Sequence, residues 1–145
     1  MQVIRLCTRE FPGIDGVGAE LYGGRWNSPG RPVVYTSSCG ALATLEYLAH
    51  VTRFPKNMWI VKIEVPDTLD FEMVNSFPAD PAAFRQLGDE WLVANKSPVL
   101  GVPSVLVPSQ WNYLLNPKHP MFGAIKLIQE NPFVYDPRLL SNIPV

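Results

Sequence analysis

MWIVKIEV, residues 58–65, alternates in the manner of a half-buried strand. Successive side chains of an extended chain point to opposite faces, so Trp59, Val61, Ile63 and Val65 share one face while Lys62 and Glu64 take the other. Toward the N-terminus, VIRL (3–6) reads as a short strand, and the Gly-rich 9–24 stretch, REFPGIDGVGAELYGG, reads as loop. PVVYTS (32–37) holds strand-forming residues behind a Pro-Gly turn. Ser38 is placed to cap a helix over 39–50, with Leu42, Leu45, Leu48 and Ala49 as its apolar stripe.

Toward the C-terminus, a second helix is predicted over 81–95, with Pro81 near its first turn and Phe84, Leu87, Trp91 and Leu92 on its core side. SVLV (104–107) and NYLL (112–115) read as buried strands. AIKLIQE (124–130) and FVYD (133–136) flank Asn131-Pro132 as a closing hairpin would. There is no internal repeat. The expectation is one α+β domain over 1–145, built on a mostly antiparallel sheet.

Composition narrows the function classes. A chain of 145 residues with 47% hydrophobic content buries a sizeable core without staples, and fifteen prolines imply short elements joined by defined turns rather than a bundle of long helices. The net charge of −1, with twelve Lys and Arg scattered along the chain, argues against a nucleic-acid footprint of its own but leaves room for a pocket for one small anion. MQVIRLCTREF carries charges where a secretory leader has its apolar core. The uncharged 97–117 stretch is long enough to span a bilayer, yet Pro98, Pro103, Pro108, Gln110 and Asn112 interrupt it, so no membrane association is expected. Cys7 and Cys39 have no metal-like spacing, and reduced thiols in a cytoplasmic protein are expected.

The chemistry concentrates in GGRWNSPGRPVVYTSSCGALATLEYLAH, residues 23–50. Glu46 falls about 40° beyond Leu42 on a helical wheel, at the border of the apolar stripe. It is either a boundary carboxylate paired with a basic residue or one that looks into a cleft beside the core. Arg25 follows Gly23-Gly24, where backbone approaches a ligand closely, and its planar fork suits a diphosphate. The alternative is a turn arginine stacked on Trp26. Tyr35 belongs either to the core or to a cleft wall with its hydroxyl wet. His50 and His119 share no metal-like spacing, and His119 reads as a loop residue. Ser104 has no GxSxG surroundings, and the chain has neither a P-loop nor a GxGxxG fingerprint.

The 23–50 stretch resembles the signature of the RES-domain family, named for its Arg, Glu and Ser. VPSVLVPSQWNYLLNPKHPMF (102–122) resembles that family's Pro-Ser strand and Asn-Pro-x-His-Pro segment, and YDPRL (135–139) its usual ending. The resemblance implies an ADP-ribosyltransferase-like fold and a toxin of a bacterial toxin–antitoxin pair that cleaves NAD at the nicotinamide–ribose bond. ADP-ribosylation of a protein and a non-catalytic NAD-binding module are the alternatives. By position, Arg25, Glu46 and Ser104 correspond to the namesake residues, with Ser109 nearby in similar surroundings, and Tyr35 to a ring-stacking tyrosine. Arg25, Trp26, Tyr35 and Asn112 are then the NAD contacts. The resemblance implies no metal, no cofactor beyond NAD as substrate, and an Xre-like helix-turn-helix antitoxin as partner. That antitoxin covers the active site in a hetero-oligomer and carries any DNA contact.

Overall fold

The computed structural model describes residues 1–141. Seven strands run β1 (Gln2–Thr8), β2 (Val34–Ser37), β3 (Met58–Glu64), β4 (Phe71–Met73), β5 (Val99–Pro103), β6 (Trp111–Leu115) and β7 (Lys126–Phe133). Three α-helices, α1 (Val17–Tyr22), α2 (Gly40–Leu48) and α3 (Ala82–Ala94), lie between them. The strands form one sheet in the order β4-β5-β6-β2-β1-β3-β7. Only β4 and β5 pair in parallel; every other neighbouring pair is antiparallel. This is the α+β, mostly antiparallel architecture expected from the sequence.

The 58–65 alternation sets the middle of one core layer. Val61, Ile63 and Val65 are fully buried and pack with Val3, Val99, Leu115 and Ile125. A second layer joins α3 to the sheet through Trp26, Val33, Phe84, Trp91, Leu100, Val102 and Leu114. Strands β5 and β6 therefore have apolar neighbours on both faces, with Val99 and Leu115 in one layer and Leu100, Val102 and Leu114 in the other. That explains the uncharged run in this part of the chain. A third cluster, Leu6, Ala43, Met58, Tyr135 and Leu140, lies under α2.

Several local expectations are corrected. The 9–24 loop contains α1, a six-residue helix with no buried side chain, so no apolar stripe announces it. Residues 104–107 are not a strand. The Ser104 hydroxyl accepts the Leu106 and Val107 N–H groups and folds the chain into a turn that exposes Val105 and Leu106. The hairpin at Asn131-Pro132 is instead one continuous strand, β7, with Pro132 opposite Trp59. At a sheet edge the missing N–H costs no ladder bond.

The helix faces also differ. In α2 the buried residues are Leu42 and Ala43, while Leu45 is 43% exposed and Ala49 is exposed. The N-cap of α2 is Cys39, without a side-chain cap bond, and the buried Ser38 Oγ finds no partner among the described residues. In α3, Leu87 is 37% exposed and Gly88 takes its place inside, against the Trp26 backbone. A methyl group on Gly88 would collide with the Trp26 carbonyl carbon and oxygen, which are backbone and cannot rotate away. Gly88→Ala should therefore destabilise the fold by about 3 kcal/mol or more, at the upper end of overpacking costs. Urea unfolding measures it, and a change under 1 kcal/mol would mean that α3 can lift from Trp26 freely.

Candidate active site

One cleft of about 1090 Å³ opens between the face of β1, β2 and β6, the α2 helix and the turn before Trp26. Alternation along β2 sends Tyr35 and Ser37 to the same face, and antiparallel pairing sets Ser37 directly opposite Asn112. Leu42, Ala43, Glu46 and Tyr47 follow the i, i+3, i+4 spacing of a helix face, so Glu46 lies within the inward face of α2 rather than at its border. Arg25, Trp26, Tyr35, Glu46 and Asn112 all line the cleft.

The Glu46 carboxylate is bonded through one oxygen. Its Oε1 accepts from Ser104 Oγ at 2.5 Å and from Asn112 Nδ2 at 2.9 Å. Ser104 is fully buried and its hydroxyl already accepts two backbone N–H groups, so its single proton is directed at Glu46. Of the two candidate serines, Ser104 is the one that reaches the carboxylate; Ser109 is exposed in the turn. Glu46 forms no ion pair among the described residues, so its partners are neutral donors rather than the basic residue that a boundary glutamate would take.

Tyr35 is a cleft wall whose hydroxyl is not wet. It donates to Asn27 Oδ1 at 2.6 Å and accepts from the Trp26 N–H at 3.0 Å. Gly24 makes room for this: a methyl group there would lie 2.6 Å from the Tyr35 hydroxyl oxygen. The glycine expected to admit a ligand thus admits a side chain of the protein. Burial pushes the Tyr35 phenol above the ordinary tyrosine range, against the Trp26 N–H and the nearby Arg85 and Arg25 charges, which favour the phenolate. Asn27, fully buried, donates in turn to the Ala19 and Arg31 carbonyls and fixes the chain on both sides of Arg25.

Arg25 is exposed, and its guanidinium sits 5.6 Å from the Phe84 ring, not on Trp26. Trp26 is 4% exposed and stacks on Phe84 itself, so most of its surface serves the core. Two further arginines, which the sequence reading did not single out, line the same cleft. Arg85 donates to the Gly24 carbonyl, and Arg5 to the Phe11 and Gly13 carbonyls. None of the three is ion-paired among the described residues. An arginine inside the VIRL strand was the available signal for Arg5; Arg85 gave none. His50 lines the cleft from the end of α2, whereas His119 accepts the Met121 N–H in a separate loop. Among the described residues no group of three or more His, Cys, Asp or Glu is placed to hold a metal ion, and no helix is long and apolar enough to cross a membrane.

Residues 2–136 match the RES domain. The chain belongs to the RES-domain family. It is 37% identical over 145 residues to the Prs ADP-ribosylating toxin of Sphingobium sp., covering 92% of this chain and 90% of that one. It is 36% identical to Toxin Res of Pseudomonas putida, over 89% of this chain and 94% of that protein, and 37% identical to Toxin Res of Yersinia enterocolitica, over 86% and 88%. Its fold is similar to a chain in the crystal structure of the M. tuberculosis MbcT-MbcA toxin–antitoxin complex, with TM-score 0.72 at 16% identity, covering 98% of this chain and 87% of that one. Within this RES domain the segments that carry the sequence resemblance have distinct structural duties. Asn116 accepts the Lys118 N–H and donates to Asn95. The Tyr135 hydroxyl donates to the Thr44 carbonyl at 2.6 Å, which ties YDPRL to the helix that bears Glu46.

The phenol geometry gives a pH test. With the folded pKa raised, the contribution of Tyr35 to stability is complete below the unfolded phenol's pKa of about 10 and is lost as pH rises beyond it. Tyr35→Phe should cost about 1–2 kcal/mol near neutrality by orphaning Asn27 Oδ1 and the Trp26 N–H. The gap between wild type and variant should close above pH ~10.5. Urea midpoints at both pH values measure this, and a gap that widens with pH contradicts the buried phenol.

Proposed function

We propose that this RES domain is the toxin of a toxin–antitoxin pair and consumes NAD by breaking its nicotinamide–ribose bond. The observation that carries the reading is the Glu46 carboxylate, anchored through Oε1 with Oε2 bonded by no donor among the described residues, in a cleft lined by three arginines without acidic partners. The cleft volume lies just above the usual range for small-molecule sites, roughly 300–1,000 Å³, which suits a dinucleotide.

The chemistry asks little of acid catalysis. Nicotinamide in NAD is already cationic, so the glycosidic C–N bond breaks with its electron pair passing to the ring nitrogen, and the ring leaves neutral. The charge that must be stabilised is the oxocarbenium-like ribose left behind. Glu46, with Oε2 toward the sugar, supplies a fixed negative charge where that positive charge develops. Tyr35 offers an aromatic wall for the nicotinamide, and Arg25 holds phosphate or ribose oxygens so that the bond to be broken lies over the carboxylate. The acceptor oxygen then bonds to the ribose carbon and gives its proton to solvent. Water or phosphate as acceptor depletes NAD. A protein as acceptor is the second reading, favoured by the similarity to the Prs ADP-ribosylating toxin. The proposed partner is an antitoxin, of helix-turn-helix type, seated over this cleft; NAD is the substrate and no further cofactor is proposed.

Expression of the chain without its antitoxin should arrest bacterial growth with a fall in cellular NAD. Arrest at unchanged NAD, with radiolabel from NAD appearing on a protein band, would select the protein acceptor instead. Glu46→Gln should keep NAD binding and lose turnover by on the order of 10²–10³-fold, the usual cost of one preorganised electrostatic group. Nicotinamide release by the purified variant measures this, and near-normal turnover removes Glu46 from the chemistry. Arg25→Lys should not restore activity, because lysine keeps the charge and loses the planar fork. A fully active lysine variant would reduce Arg25 to a point charge.

A further inference from the structure

Both polar atoms of the Asn112 side-chain amide are engaged inside the protein. Its Nδ2 donates to Glu46 Oε1 at 2.9 Å, and its Oδ1 accepts from Ser37 Oγ at 2.6 Å. The sequence reading of Asn112 as a direct NAD contact does not use these bonds, and Ser37 was not singled out. We propose that Ser37 is a positioning residue for Glu46, acting through the Asn112 amide; the inference rests on the NAD-consuming reading.

An ionised carboxylate oxygen only accepts, a carbonyl oxygen only accepts, and a hydroxyl supplies one proton. Rotated by half a turn, the Asn112 amide would set its oxygen against Glu46 Oε1, two acceptors facing each other. Glu46, which can only accept, disfavours that arrangement, and the Ser37 hydroxyl turns its proton to Oδ1 and holds the amide in place from the side away from Glu46. Sheet register makes the device rigid. Ser37 and Asn112 are directly opposite on β2 and β6, and Ser37 is 4% exposed, so no water competes freely for its hydroxyl. Ser104 meets the same carboxylate oxygen from the β5–β6 turn. Glu46 is thereby held by two donors, each itself held by a further bond: Ser104 by the Leu106 and Val107 N–H groups, Asn112 by Ser37. Such outer partners set how closely a reacting group keeps its geometry.

Steady-state NAD turnover by the full chain tests this with Ser37→Ala, Asn112→Ala and the double variant. Ser37→Ala should lower kcat by roughly 10-fold, the lower end of what loss of an outer partner costs at metal sites, with KM for NAD unchanged. The double variant should match Asn112→Ala alone, since Ser37 has nothing to hold once the amide is gone. Effects that multiply in the double variant, or an undiminished kcat in Ser37→Ala, overturn the inference. A second readout needs no activity. The Asn112 side-chain amide signal in a ¹H–¹⁵N spectrum, identified by its loss in Asn112→Ala, should shift and exchange faster with water in Ser37→Ala. An unmoved signal refutes the positioning role even if NAD turnover is robust. A wild-type protein that releases no nicotinamide refutes the NAD reading, while the amide signal still decides the role of Ser37.

Discussion

The Ser104 hydroxyl and the Asn112 amide converge on a single oxygen of Glu46, and these two bonds join α2 to the β5–β6 hairpin. Without them a half-buried carboxylate would sit beside the core with no counter-charge, a costly placement unless donors satisfy it. The surrounding structure serves this seat. The turn after β5 closes around the Ser104 hydroxyl, β2 and β6 pair so that Ser37 meets Asn112, and Tyr135 fastens α2 from the far side through the Thr44 carbonyl. A carboxylate held by neutral donors keeps its negative charge uncompensated, whereas one held by lysine or arginine would be spent on its partner.

The cleft has an opposite side to that electrostatics. Arg5, Arg25 and Arg85 reach it from β1, the turn before Trp26 and α3, and their hydrogen bonds go to carbonyl oxygens or to none. A chain with net charge −1 thus concentrates, in one concavity, positive charge that is not ion-paired among the described residues, and low-dielectric walls there strengthen its pull on an anion. The bulk charge, which speaks against a nucleic-acid surface, carries no information about this local field.

Strands β1, β2, β3 and β6 and both longer helices were legible because period-2 and period-3.6 patterns are local, whereas β4 and β5 were not read and a strand was expected at 104–107 instead. The 58–65 alternation placed Val61, Ile63 and Val65 inside, as found. What escaped was set by tertiary contacts. Leu45 and Leu87 look like core residues, but Ala43 is the α2 residue that packs into the third cluster, and Gly88 is inside because the Trp26 backbone approaches α3 too closely for a larger side chain. Prolines misled at Asn131-Pro132 because only the sheet order makes β7 an edge. At the site, Arg25, Tyr35 and Glu46 were recognisable from one continuous stretch. Ser37 was not, since its meaning depends on a partner 75 positions away. The role read for Gly24 changed for the same reason, as the Tyr35 hydroxyl occupies the space its missing side chain leaves.

The Tyr135–Thr44 bond spans 91 positions, and the Glu46 bonds to Ser104 and Asn112 span 58 and 66. During synthesis, α2 leaves the ribosome with its glutamate long before any of these partners exist. A nascent chain that stops short of residue 104 carries Glu46 with no donor, and one that stops short of residue 135 carries α2 unfastened. The carboxylate seat is therefore a product of the whole chain, formed late because its closing contacts are non-local and slow to find. Translation itself sets a delay between making the glutamate and seating it.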